Sequence, residues 1–177
     1  MSAIINGDSP SVTFSDGTTQ ATSAIVSGKV PYTNLPTGSV LQVVNARFST
    51  PTNTTSTSFV DTGLTATITP KFSTSKVLII VNHQGIRKPS GNNTSVGQRI
   101  NKNGSALANM DSIAGYTGNT GDSGIGTTFQ QYLDSPATTS AITYSTQFNS
   151  QNGGQVNLND YNLAGTSSSI TLMEIAG

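Results

Sequence analysis

The apolar residues of this chain alternate with polar ones in short runs, and this period of two constrains the fold more than any other feature. Leu64, Ala66 and Ile68 occupy every second position of one run, and residues 142–148 repeat the pattern with Ile, Tyr, Thr and Phe. No apolar stripe recurs at helical spacing over more than two turns. Thr, Ser, Gly and Asn are the commonest residues, whereas the helix formers Glu and Lys are few. The pattern therefore predicts an all-β fold.

Runs of this kind recur along residues 39–177 and are separated by polar turns. The Asn103-Gly104 pair between two runs is a strong signal for a tight hairpin. The strands predicted from these runs cover residues 40–48, 59–68, 76–82, 96–102, 106–108, 129–133, 142–148, 156–158 and 169–175. A count of about eight to ten antiparallel strands is typical of a two-sheet β-sandwich or a jelly roll.

The segment from Val77 to Val81 breaks the alternation because it is apolar on both faces. A strand of this kind lies in the middle of a sheet and is covered on both sides. The second apolar face of this strand is covered either by the rest of the same sandwich or by a neighbouring subunit. We expect homo-oligomerisation, in which Leu78, Ile80 and His83 are candidate contacts between subunits.

Residues 1–38 differ from the rest of the chain. Residues 11–14 suit one short strand, and the following Asp16-Gly17 pair is typical of a turn. Pro31 and Pro36 favour an extended course for the residues that precede them. A segment with so little apolar pattern cannot bury itself, so we expect it to lie along a neighbouring chain or another protein. The candidate anchor residues are Val12, Phe14, Asp16, Gly17 and Leu35, and the head covers residues 39–177.

Charge is scarce, because eight Lys and Arg balance eight Asp and Glu. The chain instead carries 24 Ser, 27 Thr, 16 Asn and 9 Gln. Binding to nucleic acid by phosphate neutralisation is therefore not expected. The run Val77–Val81, the longest apolar one, is far shorter than the roughly 20 residues of a membrane helix. The first residues lack the basic and apolar regions of a secretory signal, so we expect neither a membrane span nor secretion.

Residues that could catalyse a reaction are few and scattered. Cysteine is absent and His83 is the single histidine. A serine nucleophile activated by His83 would be recognised by a surrounding Gly-x-Ser-x-Gly sequence. No such sequence is present. The acidic residues are dispersed, and most adjoin turn residues, where Asp usually bonds its own backbone. We therefore expect no enzymatic activity and no cofactor.

The glycine-rich stretch 111–126 is predicted to be one long exposed loop. Its two ends carry Asp111 and Asp122, which could hold a calcium ion together with loop carbonyls, although calcium loops normally concentrate more acids. Neutral polar and aromatic side chains in such loops suit the binding of uncharged sugars. The candidate receptor contacts are Tyr116, Asn119, Asp122 and Tyr161.

Three stretches resemble parts of tailed-bacteriophage fibre and head-fibre proteins. Residues 12–20 resemble their strand followed by Pro-Asp-Gly-Thr-Thr-Gln, with Ser15 in place of the proline, and residues 35–44 are similar to the junction that follows it. Residues 169–175 resemble the last strand of their distal heads. The resemblance implies an anchoring or trimerising segment over residues 1–38. It also implies a jelly-roll knob over residues 39–177, packed three around an axis.

Two functions follow from this resemblance. The first is a short trimeric fibre on the virion surface, assembled in the host cytoplasm, whose knob contacts a host cell-surface glycan or protein. The second is a capsid decoration or head-fibre protein that docks on the shell through residues 1–38. In both, residues 1–38 bind other virion proteins. A carbohydrate-active enzyme is a third alternative, outside the resemblance.

Overall fold

The structure, a computed structural model, describes residues 4–6, 11–21, 30–91, 93–114, 116, 120–160 and 166–177. Within these ranges the chain forms β-strands, and the one helical element is a 3₁₀ turn over Tyr32–Asn34. The strands are β1 (Ile4–Asn6), β2 (Ser11–Thr13), β3 (Thr19–Ala21), β4 (Val40–Phe48), β5 (Thr52–Thr54), β6 (Val60–Ile68), β7 (Lys76–Lys88), β8 (Val96–Lys102), β9 (Ser105–Ala114), β10 (Ser123–Asp134), β11 (Ile142–Ser150), β12 (Val156–Leu158) and β13 (Ser168–Ile175). The prediction of an all-β fold is confirmed. Among the described residues, no helix is long and apolar enough to cross a membrane.

Residues 40–177 build two antiparallel sheets that pack face to face. The larger sheet has the order β4-β13-β7-β12-β5, and β10 pairs with the other edge of β7. The smaller sheet has the order β6-β11-β8-β9. β4 contacts β6 and β10 contacts β9, so neighbouring edges of the two sheets meet. This arrangement is a β-sandwich, as predicted; the jelly-roll type stays a prediction.

The alternating residues of both sheets meet in the core between them. The main cluster joins Leu64, Ala66, Ile68, Val77, Ile79, Val81, Ile100, Ile142, Tyr144, Ile170 and Leu172. A second cluster of Ile86, Val96, Ala114, Phe148, Val156 and Leu158 continues the core toward one end. Burial of each aliphatic side chain stabilises the fold by about 1.5–3 kcal/mol. The predicted period of two therefore places its apolar residues in one shared core.

Two polar groups of side chains are buried with the apolar core. His83 Nε2 lies 3.0 Å from Thr146 Oγ1, which lies 2.6 Å from Thr62 Oγ1. Near the opposite end, the Tyr144 hydroxyl donates to Asp134 Oδ2 over 2.6 Å, and Lys102 Nζ lies 2.7 Å from the same oxygen. Burial and this carboxylate raise the pKa of Tyr144. Both groups connect side chains of the two facing sheets.

The prediction that residues 111–126 form one exposed loop is wrong. β9 continues to Ala114 and β10 begins at Ser123, so a much shorter connection joins the two strands. The glycines that suggested a loop lie partly inside β10, where its register against β7 shifts at Gly124 and Gly126. Gly126 has a φ of 82°, as expected where a bulge inserts an extra residue.

The N-terminal region holds three short strands rather than the single predicted one. β1, β2 and β3 form an antiparallel sheet of their own. The predicted turn between β2 and β3 is confirmed: Asp16 Oδ1 accepts from the Thr18 amide over 2.9 Å, and Gly17 has a φ of 84°. Hydrogen bonds from Thr18 lower the pKa of Asp16. Phe14 and the turn are exposed, Leu35 is half-buried, and the side chain of Val12 lies outside the described part. The anchoring role of residues 1–38 stays a prediction.

The chain enters and leaves the sandwich at the same end, which we call the arm end. Gly38 N donates to Ala176 O over 2.8 Å, and Ala176 N donates to Ser39 O over 2.9 Å. The first residue of β7, Lys76, pairs with Ile175 beside them. The other end of β7, which we call the distal end, lies about 40 Å away at about 3.3 Å per residue. β12 pairs with β7 at that distal end, through Asn157 and Arg87.

Candidate functional site

Three polar residues form a row across the distal end of the larger sheet. Arg87 on β7 pairs with Asn157 on β12, and Asn157 pairs with Asn53 on β5. Residues directly opposite each other in antiparallel strands project from the same face. Val156 and Leu158, on either side of Asn157, belong to the core. The row therefore lies on the outer face of the sandwich.

A β-bulge at Gly85 turns Arg87 outward. Two consecutive residues of β10, Gly126 and Thr127, lie opposite Ile86 and Gln84 of β7. Gly85 therefore has no partner on β10 and is the extra residue of the bulge. The extra residue reverses the alternation of side chains, so His83 and Ile86 both face the core. Gly85 has a φ of 60°, and a Cβ at this position would lie 2.8 Å from the Asp160 amide nitrogen. Glycine is therefore required both for the conformation and for the close approach of the neighbouring chain.

That neighbouring chain is held by backbone and side-chain hydrogen bonds. Asn159 N donates to Gln84 O over 2.8 Å, and Asp160 N donates to Gly85 O over 3.1 Å. Asn159 is buried in the left-handed conformation, with a φ of 55°, which Asn adopts more readily than most residues. Its Oδ1 accepts from Ser168 N and Ser168 Oγ over 3.2 and 2.7 Å. These contacts fix Asp160 beside Arg87.

Arg87 binds two carboxylates. Its Nε and Nη2 donate to the two oxygens of Asp122 over 3.0 and 2.5 Å, and its Nη1 lies 3.5 Å from Asp160 Oδ2. The hydrogen bond and charge of Asp122 raise the pKa of Arg87, and the hydrogen bond from Arg87 lowers the pKa of Asp122. Arg87 and Asp122 are therefore both ionised near neutral pH. The charge of Lys88 also lowers the pKa of Asp122, so two basic and two acidic side chains meet in this group.

Amide side chains continue the network from Asp160. Asn157 Nδ2 donates to Asp160 Oδ2, and Gln155 Nε2 donates to Asn157 Oδ1 over 2.9 Å. Asn157 is only 6% exposed, so its orientation is set by these two contacts. The amides and the carboxylate thus form one ordered chain of donors and acceptors.

These residues line a surface pocket of about 340 Å³. Its lining consists of Pro51, Thr52, Asn53, Arg87, Pro89, Gln155, Asn157 and Asp160, and we call it the Arg87 pocket. Its volume lies at the lower end of the range of about 300–1,000 Å³ for ligand sites. Its lining is mostly polar, which suits a ligand with many hydroxyl or amide groups.

One of the predicted receptor contacts, Asp122, lies beside this pocket. Asp122 binds Arg87 at the pocket, and Tyr161 follows Asp160 directly in the sequence, although Tyr161 and Asn119 lie outside the described residues. Tyr116 is described and is 56% exposed. The structure therefore brings Asp122 to a site whose other members were not predicted.

The predicted trimer contacts differ in their exposure. Leu78 and Ile80 are half-buried on the outer face of the larger sheet. His83 is 1% exposed and bonds Thr146 inside the sandwich, so the prediction that it contacts another subunit is wrong. The alternation of β7 places His83 with Val77, Ile79 and Val81 on the inner face.

The two acids considered for calcium have other partners. Asp122 binds Arg87, and Asp111 Oδ1 accepts from the Ile113 amide over 2.9 Å. Among the described residues, no group of three or more metal-ligating side chains occurs. The described part of the stretch 111–126 is therefore explained by strand, bulge and ion-pair contacts.

Sequence reasoning missed Arg87, Asn53, Asn157 and Asp160. The partners that immobilise Arg87 come from distant segments of the chain, so no local pattern of charges predicts them. One local signal was available: Gly85 interrupts the most apolar strand, and a glycine inside a strand often marks a bulge or a close backbone approach. That signal locates the site on β7 but does not reveal its partners.

The chain matches no protein-family model and no curated protein at a significant level. The function of the Arg87 pocket must therefore be argued from its geometry and charge.

Proposed function

We propose that this chain is a non-enzymatic structural protein of a tailed-phage virion, a short trimeric fibre whose knob contacts the host surface. Residues 1–38 would bind other virion proteins, and residues 39–177 would form a knob of jelly-roll type. The observation that carries the proposal is the separation of the two ends of the sandwich. The arm joins at one end, and the Arg87 pocket lies about 40 Å away at the other.

An adhesive head requires its binding site to lie at the end opposite to its attachment. A head tethered at Ser39 presents its distal end away from the particle, where a host surface would meet Tyr116, Asp122 and the Arg87 pocket. Three copies on one particle would convert weak single contacts into firm attachment, because later contacts become intramolecular.

The outer face of the larger sheet supports self-association. Val43, Met173, Leu78 and Leu133 pair in register across β4, β13, β7 and β10, and so form one apolar row. Val43 is 55% exposed and Leu133 is 50% exposed in the single chain. Proteins that work as monomers rarely expose a contiguous apolar patch of large size. The row has no charged member, so identical copies can bury it without charge repulsion.

A second candidate is a capsid decoration or head-fibre protein that docks on the shell. The same uncharged row favours it, because broad apolar surfaces are typical of permanent contacts with a partner protein. In that case the row would cover a capsid subunit instead of another copy.

Imaging of virions that carry the chain tests the proposal. A fibre places the chain around the tail axis, whereas a decoration protein follows the icosahedral symmetry of the shell. In a parallel assay, purified full-length protein should compete with phage for adsorption to host cells. Icosahedral placement together with unchanged adsorption would refute the fibre function and support the second candidate.

A further inference from the structure

We infer that the Arg87 pocket binds an uncharged saccharide unit, held by hydrogen bonds to Asn53, Asn157 and Asp160. The host contact proposed above supplies the source of the saccharide, and to that extent the inference rests on it. The chemical class of the ligand follows from the pocket itself, through its charge, its donors and acceptors, and its size.

The charges at the pocket disfavour an anionic ligand. Arg87 is the one cation in the described lining, and the protein already uses it to bind Asp122 and Asp160. A phosphate, sulfate or uronate would have to compete with these two carboxylates for the guanidinium. Recognition of an acidic glycan is therefore not what this arrangement provides.

The hydrogen-bonding groups favour a neutral polyol over a cation. The amides of Asn53, Asn157 and Gln155 each carry both N–H donors and a carbonyl acceptor. A cationic ligand has no acceptor for those donors, whereas each sugar hydroxyl both donates and accepts. Arg87 and Asn157 contact Asp160 through Oδ2, and no hydrogen bond to its Oδ1 comes from a described residue. That oxygen can accept from a ligand hydroxyl.

The pocket is ordered before any ligand arrives. Asn157 is fixed between Gln155 and Asp160, and the bulge at Gly85 fixes the backbone of Asp160. Groups held in place lose little freedom on binding, which reduces the entropic cost. Pro51 and Pro89 add an apolar part to the lining, suited to the C–H face of a sugar ring. The volume of about 340 Å³ suits a mono- or disaccharide.

Titration of the ¹⁵N-labelled full chain, followed by NMR, tests the inference. The probes are the methyl glycosides of glucose, galactose, mannose and N-acetylglucosamine, with glucuronate and N-acetylneuraminate as anionic comparisons. At least one neutral probe should shift the side-chain amide signals of Asn53, Gln155 and Asn157. A few net hydrogen bonds predict a dissociation constant on the order of 1 mM.

A pair of asparagine variants locates the binding. Asn53→Ala removes an exposed side chain of the pocket and should weaken binding about 2- to 10-fold, the value of one lost hydrogen bond. Asn109→Ala removes an exposed asparagine on edge strand β9 of the other sheet and should leave binding unchanged. Equal thermal unfolding of both variants and the wild type shows that each is folded.

Three results overturn the inference: tighter binding of the anionic probes, signal changes confined to other parts of the chain, or no change up to tens of millimolar probe. Adsorption to cells without any response of the pocket would leave the fibre proposal standing and remove the inference. Saccharide binding by a chain located on the capsid shell would support the inference and refute the fibre proposal.

Discussion

The buried histidine makes the stability of this protein depend on pH in a defined window. His83 is 1% exposed, and its Nε2 bonds Thr146 in the core. Burial lowers the pKa of His83 from 6.5 to about 4. The imidazole is therefore neutral in the folded protein at pH values where it is already charged in the unfolded chain.

The direction and the size of the effect follow from proton linkage. Above pH 6.5 neither state protonates His83, so the stability is complete. Between 6.5 and about 4 only the unfolded state binds the proton, and the free energy of unfolding falls by about 1.4 kcal/mol per pH unit. Below about 4 both states are protonated and this loss levels off. The whole window removes about 3 kcal/mol, a large part of the stability of a typical domain.

Urea unfolding at a series of pH values measures this dependence. Far-ultraviolet circular dichroism follows the strands, and tyrosine fluorescence gives a second probe because the chain has no tryptophan. Asp16 and Asp122 have lowered pKa values, so their contributions disappear only as the pH falls below about 4. Measurements from about pH 4.5 to 7.5 therefore cover the histidine window without the contributions of these two carboxylates.

The variant His83→Gln supplies the control, because glutamine can bond Thr146 but does not titrate. Its free energy of unfolding should be nearly flat over the same range, even if its absolute stability is lower. A wild-type protein that is equally stable at both ends of the range would refute the reasoning. So would a His83→Gln variant that keeps the wild-type slope.

Four further predictions concern other parts of the fold. Gly85→Ala should lower the free energy of unfolding by about 2–4 kcal/mol in the same urea assay, because the new Cβ clashes with the neighbouring chain and the left-handed conformation is strained. Gly91 also has a positive φ but lies in open space, so Gly91→Ala should lower it by only about 1 kcal/mol. If the apolar row is the interface of the proposed trimer, Leu133→Lys should convert that trimer to monomers in light scattering, and an unchanged mass would exclude the row. Asp134→Ala should lower stability by about 1–3 kcal/mol in urea, because it leaves a buried tyrosine hydroxyl without its acceptor; a loss near zero would contradict this. Removal of residues 1–38 should leave a head with an intact β-sheet spectrum that no longer joins the virion, and an unfolded product would show that the boundary is misplaced.

The strands of the head could be predicted because each leaves a local mark in the sequence. The Asn103-Gly104 hairpin is confirmed, with φ values of 50° and 81° at its two residues. The run 142–148 forms β11, and its alternate residues are buried as expected. A strand with one buried face must repeat its apolar residues at every second position, whatever its partners are.

The errors arise where neighbours in space decide the structure. Gly124 and Gly126 suggested a loop, yet pairing with β7 holds them in a bulged strand. His83 suggested a subunit contact, yet the pleat of β7 turns it into the core. The Arg87 pocket joins β5, β7 and β12, and only the register of these strands brings its residues together.

The position of the arm also determines how the head would respond to force. If the distal end is held by a host and the arm is pulled by the particle, the load enters through Ser39 and runs along β4. Eight residues of β13 pair with β4 in antiparallel register, and their hydrogen bonds lie across the direction of pull. Such bonds must yield together in shear rather than open one after another like a zipper. The strand nearest the tether is thus the one best placed to keep the knob folded under tension.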